Sequence, residues 1–365
     1  MKRARAGVTA LLFAACGGGG SARDGAVVVV ADAELGGRAD VGRTEPDVAA
    51  DAMERAAPDA AAEVATSVEG GVDLPARALG PAGAACPVGM TYGDPLPANP
   101  TVTLVREFVV TEGPVWLAAQ QALYFAEFEG ANRIHKYTPA DGKFVVFADN
   151  VGVNGLTMDD KGMILAASQD MQRVTRFDPI TAARTQLPGA DRYMGKPFNA
   201  VNDVMARADG NIYFSDPTFM QNNRPGQGVT GVYRLWNGAV TRITTGKQPN
   251  ALHISLDGKW LYITSSGGDP VRRFALNPDG STGAEGGSIG VPSESLALDC
   301  AGNLYLSSDG KIRVYTAEGM LIGTFANISA GITNLAFGDE DGRTLYITAR
   351  AALYKIRLNL PGLPN

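Results

Sequence analysis

Six side chains that carry oxygen donors recur at a regular spacing along the second part of the chain. Five of them stand eight residues before a glycine of a recurring turn, and the sixth stands nine residues before Gln121. The six residues are Glu112, Asn154, Asn202, Asn250, Glu294 and Asn334. Carboxylate and carboxamide oxygens are hard ligands that suit Ca²⁺, which takes about six to eight of them. The spacing therefore predicts a divalent-cation site, provided that the fold brings these residues together.

The types of donor in this series narrow the choice of ion. The two histidines of the chain, His135 and His253, both lie outside the series, so a zinc site of the usual nitrogen and sulfur ligands is not expected. Ca²⁺ fits best, and Zn²⁺, Mn²⁺ and Mg²⁺ are the other candidates. Alternatively, the Asn side chains could bond backbone groups of turns. That alternative accounts poorly for Glu112 and Glu294, because burying two carboxylates without a cation is costly.

The turns that mark the series also define a repeat. The marker positions 121, 162, 210, 258, 302 and 342 are 40 to 48 residues apart. Each marker precedes a strand with alternating apolar residues and then a second strand that contains a basic residue. This period, with several strands per unit, is typical of β-propeller blades. The sequence thus predicts an all-β, six-bladed propeller over residues 86–365, in which equivalent positions of the blades form a ring around the axis.

The N-terminal segment is typical of an exported protein. Residues 1–16 combine Lys2, Arg3 and Arg5 with a short apolar stretch that ends at Cys16, and this ending resembles a bacterial lipobox. We expect lipid on Cys16 and a periplasmic or surface protein anchored to the membrane. Plain secretion with an unmodified Cys16 is the alternative. Residues 17–85 are rich in Ala, Gly and acidic residues with few aromatics, which predicts a disordered linker.

Cysteine and charge content restrict the remaining possibilities. Cys86 and Cys300 could form a disulfide in an oxidising compartment, or they could remain two free thiols. The net charge is −6, with no basic tract outside the N-terminus, which argues against a nucleic-acid partner. We expect a monomer whose only membrane contact is the lipid on Cys16.

Several motifs in one order resemble the SMP-30/gluconolactonase/LRE family. The motifs are Glu112–Trp116, Val201–Val204, Phe214–Pro217, Pro249–Leu252, Thr333–Gly338 and Thr344–Ala349. The resemblance covers about residues 100 to 360. It implies a six-bladed propeller, a central divalent ion that is commonly calcium, and the hydrolysis of a lactone.

The resemblance also assigns roles to individual residues. It implies that Glu112, Asn250 and Glu294 are metal ligands, that Glu294 is the general base and that Asn202 lies near the substrate. Apart from the resemblance, we expect Asn154, Asn202, Asp203 and Asn334 to bind substrate or support the ligands, and Asp203 could equally only anchor its turn. The chain departs from the family at two positions. Glu294 stands where the family usually has Asp, and Ala200 stands where some members have a substrate-contacting Arg.

The expected function is therefore the metal-dependent hydrolysis of a lactone or a related ester. The alternative is a non-catalytic cell-surface binding propeller that holds a structural ion. The run Gly286–Gly290 matches the pattern of a serine nucleophile, but it lies in a glycine-rich connection, so we expect no catalytic serine there. The loop Phe219–Val229 is a candidate lid over the site.

Overall fold

The computed structural model describes residues 86 and 90–363, and these residues form an all-β fold. Six antiparallel sheets surround one axis, so the predicted six-bladed β-propeller is confirmed. Each innermost strand packs against the innermost strands of both neighbouring blades, which closes the ring. The signal-like segment with Cys16 and the linker 17–85 lie outside the described residues.

Five blades have four strands each, ordered from the axis outward. Their innermost strands are β2 (Thr111–Leu117), β6 (Val153–Met158), β12 (Val204–Ala206), β19 (Leu296–Leu298) and β23 (Ile332–Gly338). The second strands are β3 (Ala122–Glu127), β7 (Ile164–Ser168), β13 (Ile212–Asp216), β20 (Leu304–Ser308) and β24 (Thr344–Ala349). The third strands are β4 (Arg133–Thr138), β8 (Arg173–Phe177), β14 (Gly231–Trp236), β21 (Lys311–Tyr315) and β25 (Ala352–Arg357). The outer strands are β5 (Lys143–Ala148), β9 (Arg184–Gln186), β15 (Ala239–Thr245), β22 (Leu321–Phe325) and β1 (Thr103–Glu107).

Blade 4 differs because one long strand takes two places in it. Its strands are β16 (Pro249–Ile254), β17 (Trp260–Leu276) and β18 (Thr282–Ser293). The first part of β17 pairs with β16 and the remainder pairs with β18, so the blade keeps the four-layer depth of the others. A small hairpin, β10 (Arg192–Tyr193) and β11 (Lys196–Pro197), precedes blade 3. The described residues contain one 3₁₀ turn, Ala118–Gln120, and no helix long and apolar enough to cross a membrane.

The recurring glycines lie where the repeat predicts turns, between the innermost and second strands. The five marker glycines have positive φ angles from 67° to 87°, and Gln121 at the sixth marker has a φ angle of 45°. Glycine adopts this left-handed conformation without the steric cost that a Cβ atom brings. The glycine series therefore reports hairpin turns, one for each blade.

The ring is closed by a strand from the N-terminal side of the propeller. β1 pairs with β25 and becomes the outer strand of blade 6, with Thr103 opposite Lys355 and Glu107 opposite Ala352. The next strand, β2, starts blade 1. The Thr111 hydroxyl donates to a carbonyl of blade 6, at a distance of 3.0 Å from both the Ala349 and Ala352 oxygens. The two ends of the propeller are thereby held in the same blade, and no exposed sheet edge is left between them.

The core consists of apolar layers between adjacent blades. Buried residues of blade 1, such as Val115 and Tyr124, pack with Leu156 and Phe177 of blade 2. Their side chains alternate along each strand, because successive residues of a strand point to opposite faces of the sheet. This packing fixes the angle of each innermost strand to the axis, and so it positions the residues at the strand ends.

Cys86 and Cys300 form a disulfide, with Cα atoms 5.2 Å apart. Cys300 lies in the turn between β19 and β20, at the end of the propeller that carries the marker glycines. The C-terminal segment reaches the same turn, where the backbone N–H of Cys300 donates to the Pro361 carbonyl at 2.9 Å. Of the two alternatives left open by the sequence, the structure therefore has the disulfide.

Candidate active site at the propeller axis

The six oxygen-donor residues lie at one end of the innermost strands, opposite the end that carries the marker turns. We call this end of the propeller the axial end. The repeat pattern predicts positions just before these strands. Four of the residues lie inside the strands instead, namely Glu112, Asn154, Asn250 and Asn334. In these four blades the strand pairing shifts register at this point. In the other two blades β12 and β19 begin only after Asn202 and Glu294. Interrupted pairing frees each side chain from the ordinary alternation of the sheet, so that it can face the axis.

Two glycines allow the innermost strands to approach closely below these side chains. A Cβ atom on Gly113 would collide with the backbone of Asn154 and Gly155 in the next blade. A Cβ atom on Gly155 would in turn collide with the Asp203 carboxylate and backbone in blade 3. Blades 1, 2 and 3 are therefore in backbone contact around the axis, and this contact brings their donors together.

Glu112 lies in a strongly negative environment. Its pKa is raised to about 8, first by burial and then by the negative charges of Glu294 and Asp203. The positive charge of Arg350 and a hydrogen bond from the Gly113 backbone N–H act in the opposite direction. The carboxylates of three different blades thus repel one another at the axis, and their charges would stabilise a cation bound among them.

Glu294 lies at the more open side of the same group. Its side chain is 39% exposed, and one carboxylate oxygen is 3.9 Å from Nη2 of Arg350 in blade 6. Burial raises the pKa of Glu294, while the Arg350 charge lowers it. A partly exposed carboxylate can reach solvent water, which is a condition for a general base.

Asp203 connects several blades. Burial raises its pKa to about 7, opposed by hydrogen bonds from the backbone N–H groups of Val204 and Leu252 and from the Asn334 side chain. The Asn334 amide nitrogen is 3.4 Å from Asp203 Oδ2. Blades 3, 4 and 6 therefore share this one carboxylate. Its partners favour a structural role for Asp203 and Asn334 beside the site.

The amides around the axis are held differently from one another. Asn202 is buried, and its Oδ1 atom has no hydrogen-bond partner among the described residues. Asn250 donates from Nδ2 to the Ser266 hydroxyl at 2.7 Å, which leaves its Oδ1 as the atom able to bind a cation. Asn154 is buried in β6 of blade 2. Oxygen atoms without a donor are the groups that a bound cation or substrate would satisfy.

The structure adds residues that the sequence analysis missed. Arg350 is one, and counting eight residues forward from the marker Gly342, instead of back, would have found it. Asp216 is another. It is fully buried at the end of β13 and accepts hydrogen bonds from the backbone N–H groups of Asn199 and Ala200, at 3.0 and 2.9 Å. Because Ala200 is two residues before Asn202, Asp216 fixes the segment that carries this amide.

The model of the SMP-30/Gluconolactonase/LRE-like region matches residues 110–351, which is most of the chain and covers five whole blades and the two inner strands of blade 6. The chain belongs to this family. It is 27% identical to a gluconolactonase from Zymomonas mobilis over 295 residues, covering 71% of this chain and 82% of the relative. It is also 27% identical to a pentonolactonase from Haloferax volcanii over 247 residues, covering 65% and 80% of the two chains.

A solved family member has the same architecture. The structure of a gluconolactonase from Xanthomonas campestris matches with a TM-score of 0.65 and 25% identity. The match covers 72% of this chain and 91% of the solved one. The two chains therefore share the propeller fold.

The residues at the axis fit the divalent cation that the family resemblance implies. All the donors are oxygens, the carboxylates of Glu112 and Glu294 repel each other, and the buried Asn202 oxygen has no donor. Among the described residues no three His, Cys, Asp or Glu side chains could hold a metal ion by themselves. A cation here would thus depend on carboxamide oxygens, such as that of Asn250, in addition to the two carboxylates.

The loop Phe219–Val229, expected to be a lid, is fastened on both sides. Arg224 donates to the Gln169 carbonyl at 2.7 Å, and Gln172 donates to the Pro225 carbonyl at 2.7 Å. Gln227 donates to the Lys196 carbonyl at 2.7 Å. These bonds tie the loop to blade 2 and to the hairpin before blade 3. The loop is therefore held against these neighbours in this structure, and its role as a lid remains a prediction.

The other catalytic pattern in the sequence has no catalytic surroundings. Ser288 lies within β18, paired with Arg272, and not at a turn from strand to helix. It lines an open cavity of about 730 Å³ between blades 3 and 4. The charged groups of this cavity are already paired, as in the bidentate contact of Arg272 with Glu285. At the axis, by contrast, carboxylates of different blades repel one another, and the buried Asn202 Oδ1 has no hydrogen-bond partner among the described residues.

Proposed function

We propose that this chain hydrolyses a lactone at the axial end of the propeller, with a divalent cation held by Glu112, Asn250 and Glu294. The supporting observation is the mutual effect of the Glu112, Asp203 and Glu294 carboxylates from three blades, which together with burial raises the pKa of Glu112 to about 8. The similarity to a gluconolactonase and a pentonolactonase favours a sugar lactone as substrate. Ca²⁺ is the proposed ion, because every donor is an oxygen.

The proposed mechanism uses Glu294 as the general base. When bound, the cation would polarise the lactone carbonyl. Glu294 accepts a proton from a water molecule as the water oxygen forms a bond to the carbonyl carbon. The tetrahedral intermediate then breaks its bond to the ring oxygen, and Glu294 returns the proton to that oxygen. The products are a hydroxyl group and a carboxylic acid on one open chain, and at neutral pH the acid then releases its remaining proton to solvent and becomes a carboxylate. Asn202 would bind the substrate through its amide oxygen, which has no hydrogen-bond partner among the described residues.

Glu294 is longer than the Asp usual in the family by one carbon–carbon bond, about 1.5 Å. Its partial exposure and its contact with Arg350 support a base that is reached from the solvent side of the axis. A non-catalytic binding propeller with a structural ion remains the rival function. The hydrogen bonds that Asp203 accepts from Asn334 and Leu252 favour this rival function in one respect. They show that a carboxylate near the axis also links blades.

Proton release from a panel of sugar and aliphatic lactones would separate the two functions. The purified protein is assayed before and after EDTA, and then with Ca²⁺, Mn²⁺, Mg²⁺ or Zn²⁺ restored. Activity that is lost with the chelator and returns with one ion supports the metal-dependent lactonase and identifies its cofactor. A bound ion without turnover of any lactone would contradict the hydrolase and favour the binding propeller.

We also propose that the protein is exported and anchored by lipid on Cys16. The Cys86–Cys300 disulfide supports an oxidising compartment. Labelling with radioactive palmitate, followed by separation of membranes, tests the anchor. The wild type should carry label in the membrane fraction, and Cys16→Ser should be unlabelled. A wild type without label would contradict the lipid anchor.

A further inference from the structure

Arg350 lies at the axial end of the propeller, at a position that has an equivalent in every blade. In each hairpin, counting eight residues back from the marker leads to the innermost donor, or nine for the first blade. Counting eight residues forward leads to the end of the second strand or the loop that follows it, or, in blade 4, to the point within β17 where its pairing with β16 ends. The forward positions are Glu129, Asp170, Thr218, Ser266, Gly310 and Arg350. Both counts reach the same end of the blade, because the two strands are antiparallel. Arg350 is the only basic residue of this second series.

The backbone and the stem of Arg350 are positioned toward the axis. Its backbone N–H donates to the Gly331 carbonyl at 3.0 Å. The aliphatic stem crosses Gly331, since a Cβ atom at that glycine would lie 3.5 Å from Arg350 Cδ. The guanidinium then reaches the carboxylates, where its charge lowers the pKa of Glu112 and of Glu294.

The guanidinium of Arg350 is poorly satisfied for an arginine. Among the described residues, its one polar contact is with Glu294, at 3.9 Å, which exceeds hydrogen-bond distance. Other arginines at this end of the blades are fully engaged. Arg272 makes a bidentate contact with Glu285 at 2.7 Å, and Arg224 donates to three backbone carbonyls within 3.1 Å. The Arg350 side chain is also 57% exposed, so its donors are open to a molecule that enters the site.

We propose that Arg350 is a substrate-binding residue that holds the carboxyl end of the reacting molecule. This inference rests on the proposed lactone hydrolysis, which converts a neutral ester into a carboxylate. A guanidinium presents a planar fork of donors that matches the two oxygens of a carboxylate. Glu112, Asp203 and Glu294 would repel such a product, and Arg350 is the cation that faces them. Arg350 binds the neutral carbonyl group of the lactone weakly and the carboxylate of the open-chain hydroxy acid more strongly.

Calorimetric binding of D-gluconate and D-xylonate tests this role without relying on turnover. We expect Arg350→Gln to weaken the Kd of the hydroxy acids by about tenfold or more, as for a charge-assisted hydrogen bond. Arg350→Lys should recover part of the loss. In the kinetics of the matching lactones, product inhibition should weaken by the same factor. Arg343→Gln is the matched control, because Arg343 is an exposed arginine at the opposite end of β24.

Other outcomes would overturn the inference in recognisable ways. A wild type that hydrolyses lactones while Arg350→Gln binds hydroxy acids with unchanged Kd would leave the proposed function intact and sink the role of Arg350. A purely electrostatic role would change the pH dependence of kcat without changing the Kd, and this outcome also counts against the inference. Binding that depends on Arg350 but no turnover would refute only the hydrolase. A wild type that neither binds nor turns over would refute both.

Discussion

The two ends of the propeller are built from the same hairpins, yet they treat polar groups in opposite ways. At the turn end, Asp299 is fully buried and accepts hydrogen bonds from the backbone N–H groups of Ala301 and Asn303, both at 2.9 Å. The Tyr305 hydroxyl donates to the same carboxylate at 3.0 Å. At the axial end, Glu112 is repelled by other carboxylates, and within the part of the chain that the structure describes no group donates a hydrogen bond to the Asn202 amide oxygen.

This difference shows how one fold separates stability from function. Polar groups that are satisfied by nearby backbone stabilise a turn and need nothing from outside. Buried polar groups left without partners destabilise the empty protein, and a ligand can recover that energy. The following changes would break or sharpen the contrast between the two ends.

Removing the proposed base should have the largest effect. We expect Glu294→Gln to lower lactone turnover by about 10²- to 10⁴-fold, because a general base contributes on that order. The matched control is Glu318→Gln, an exposed glutamate of the same blade in the turn between β21 and β22. Metal content, measured in parallel, separates loss of the base from loss of a ligand. A Glu294→Gln variant with full activity would show that the assignment of the base is wrong.

Breaking the disulfide should affect the turn end alone. We expect Cys86→Ser to lower the free energy of unfolding by about 2–4 kcal/mol, since the bond restricts the unfolded chain over a separation of 214 residues. The kcat should be unchanged, because Cys300 lies at the turn end of the propeller, opposite the end that carries the proposed active site. Reduction of the wild type should cause the same loss, and it should add nothing to the variant. A fall in kcat would show that the two ends are coupled.

The pH dependence of stability should report the axial carboxylates. The folded-state pKa values of Glu112, about 8, and of Asp203, about 7, lie above those of carboxyls in an unfolded chain, about 4. Between about pH 4 and about pH 8, the native state therefore binds more protons than the unfolded state. Its free energy of unfolding decreases as the pH rises through 7 and 8. In EDTA, we expect urea unfolding to give a lower free energy at pH 8 than at pH 5, by up to about 6 kcal/mol, since each unit of pKa shift is worth about 1.4 kcal/mol.

A variant checks the origin of that slope. Glu112→Gln removes one of the two titrating groups, so its stability should vary less between the two pH values. A wild-type stability that is flat, or that increases toward pH 8, would contradict the raised pKa values at the axis.

The smallest effect is expected from a residue that only orients a ligand. Ser266→Ala removes the hydrogen bond that Asn250 Nδ2 makes to the serine hydroxyl. We expect the metal affinity to fall by about threefold to tenfold, as for the loss of one supporting hydrogen bond. Competition with a fluorescent chelator measures this change. Ser308→Ala, at the end of the second strand in blade 5, is the control, and an equal effect there would contradict a specific role for Ser266.

Much of this molecule was predictable from local patterns. The marker glycines predict hairpin turns, because their positive φ angles suit glycine, and their spacing predicts six blades. The strand lengths then place Glu112, Asn154, Asn202, Asn250, Glu294 and Asn334 at one end of the propeller, since equivalent residues of repeats occupy equivalent positions. The roles given to these residues as ligands, base and substrate contacts remain predictions.

Contacts between distant segments could not be read from the sequence. The pairing of β1 with β25, the bond between Cys86 and Cys300 and the approach of Arg350 to Glu294 all join residues that the chain keeps far apart. The raised pKa values of Glu112 and Asp203 depend on burial and on charges from other blades. A repeat determines what each blade offers to the axis, because strand period and turn geometry are local. Which of these groups meet, and how their charges act on one another, is decided only when the ring closes.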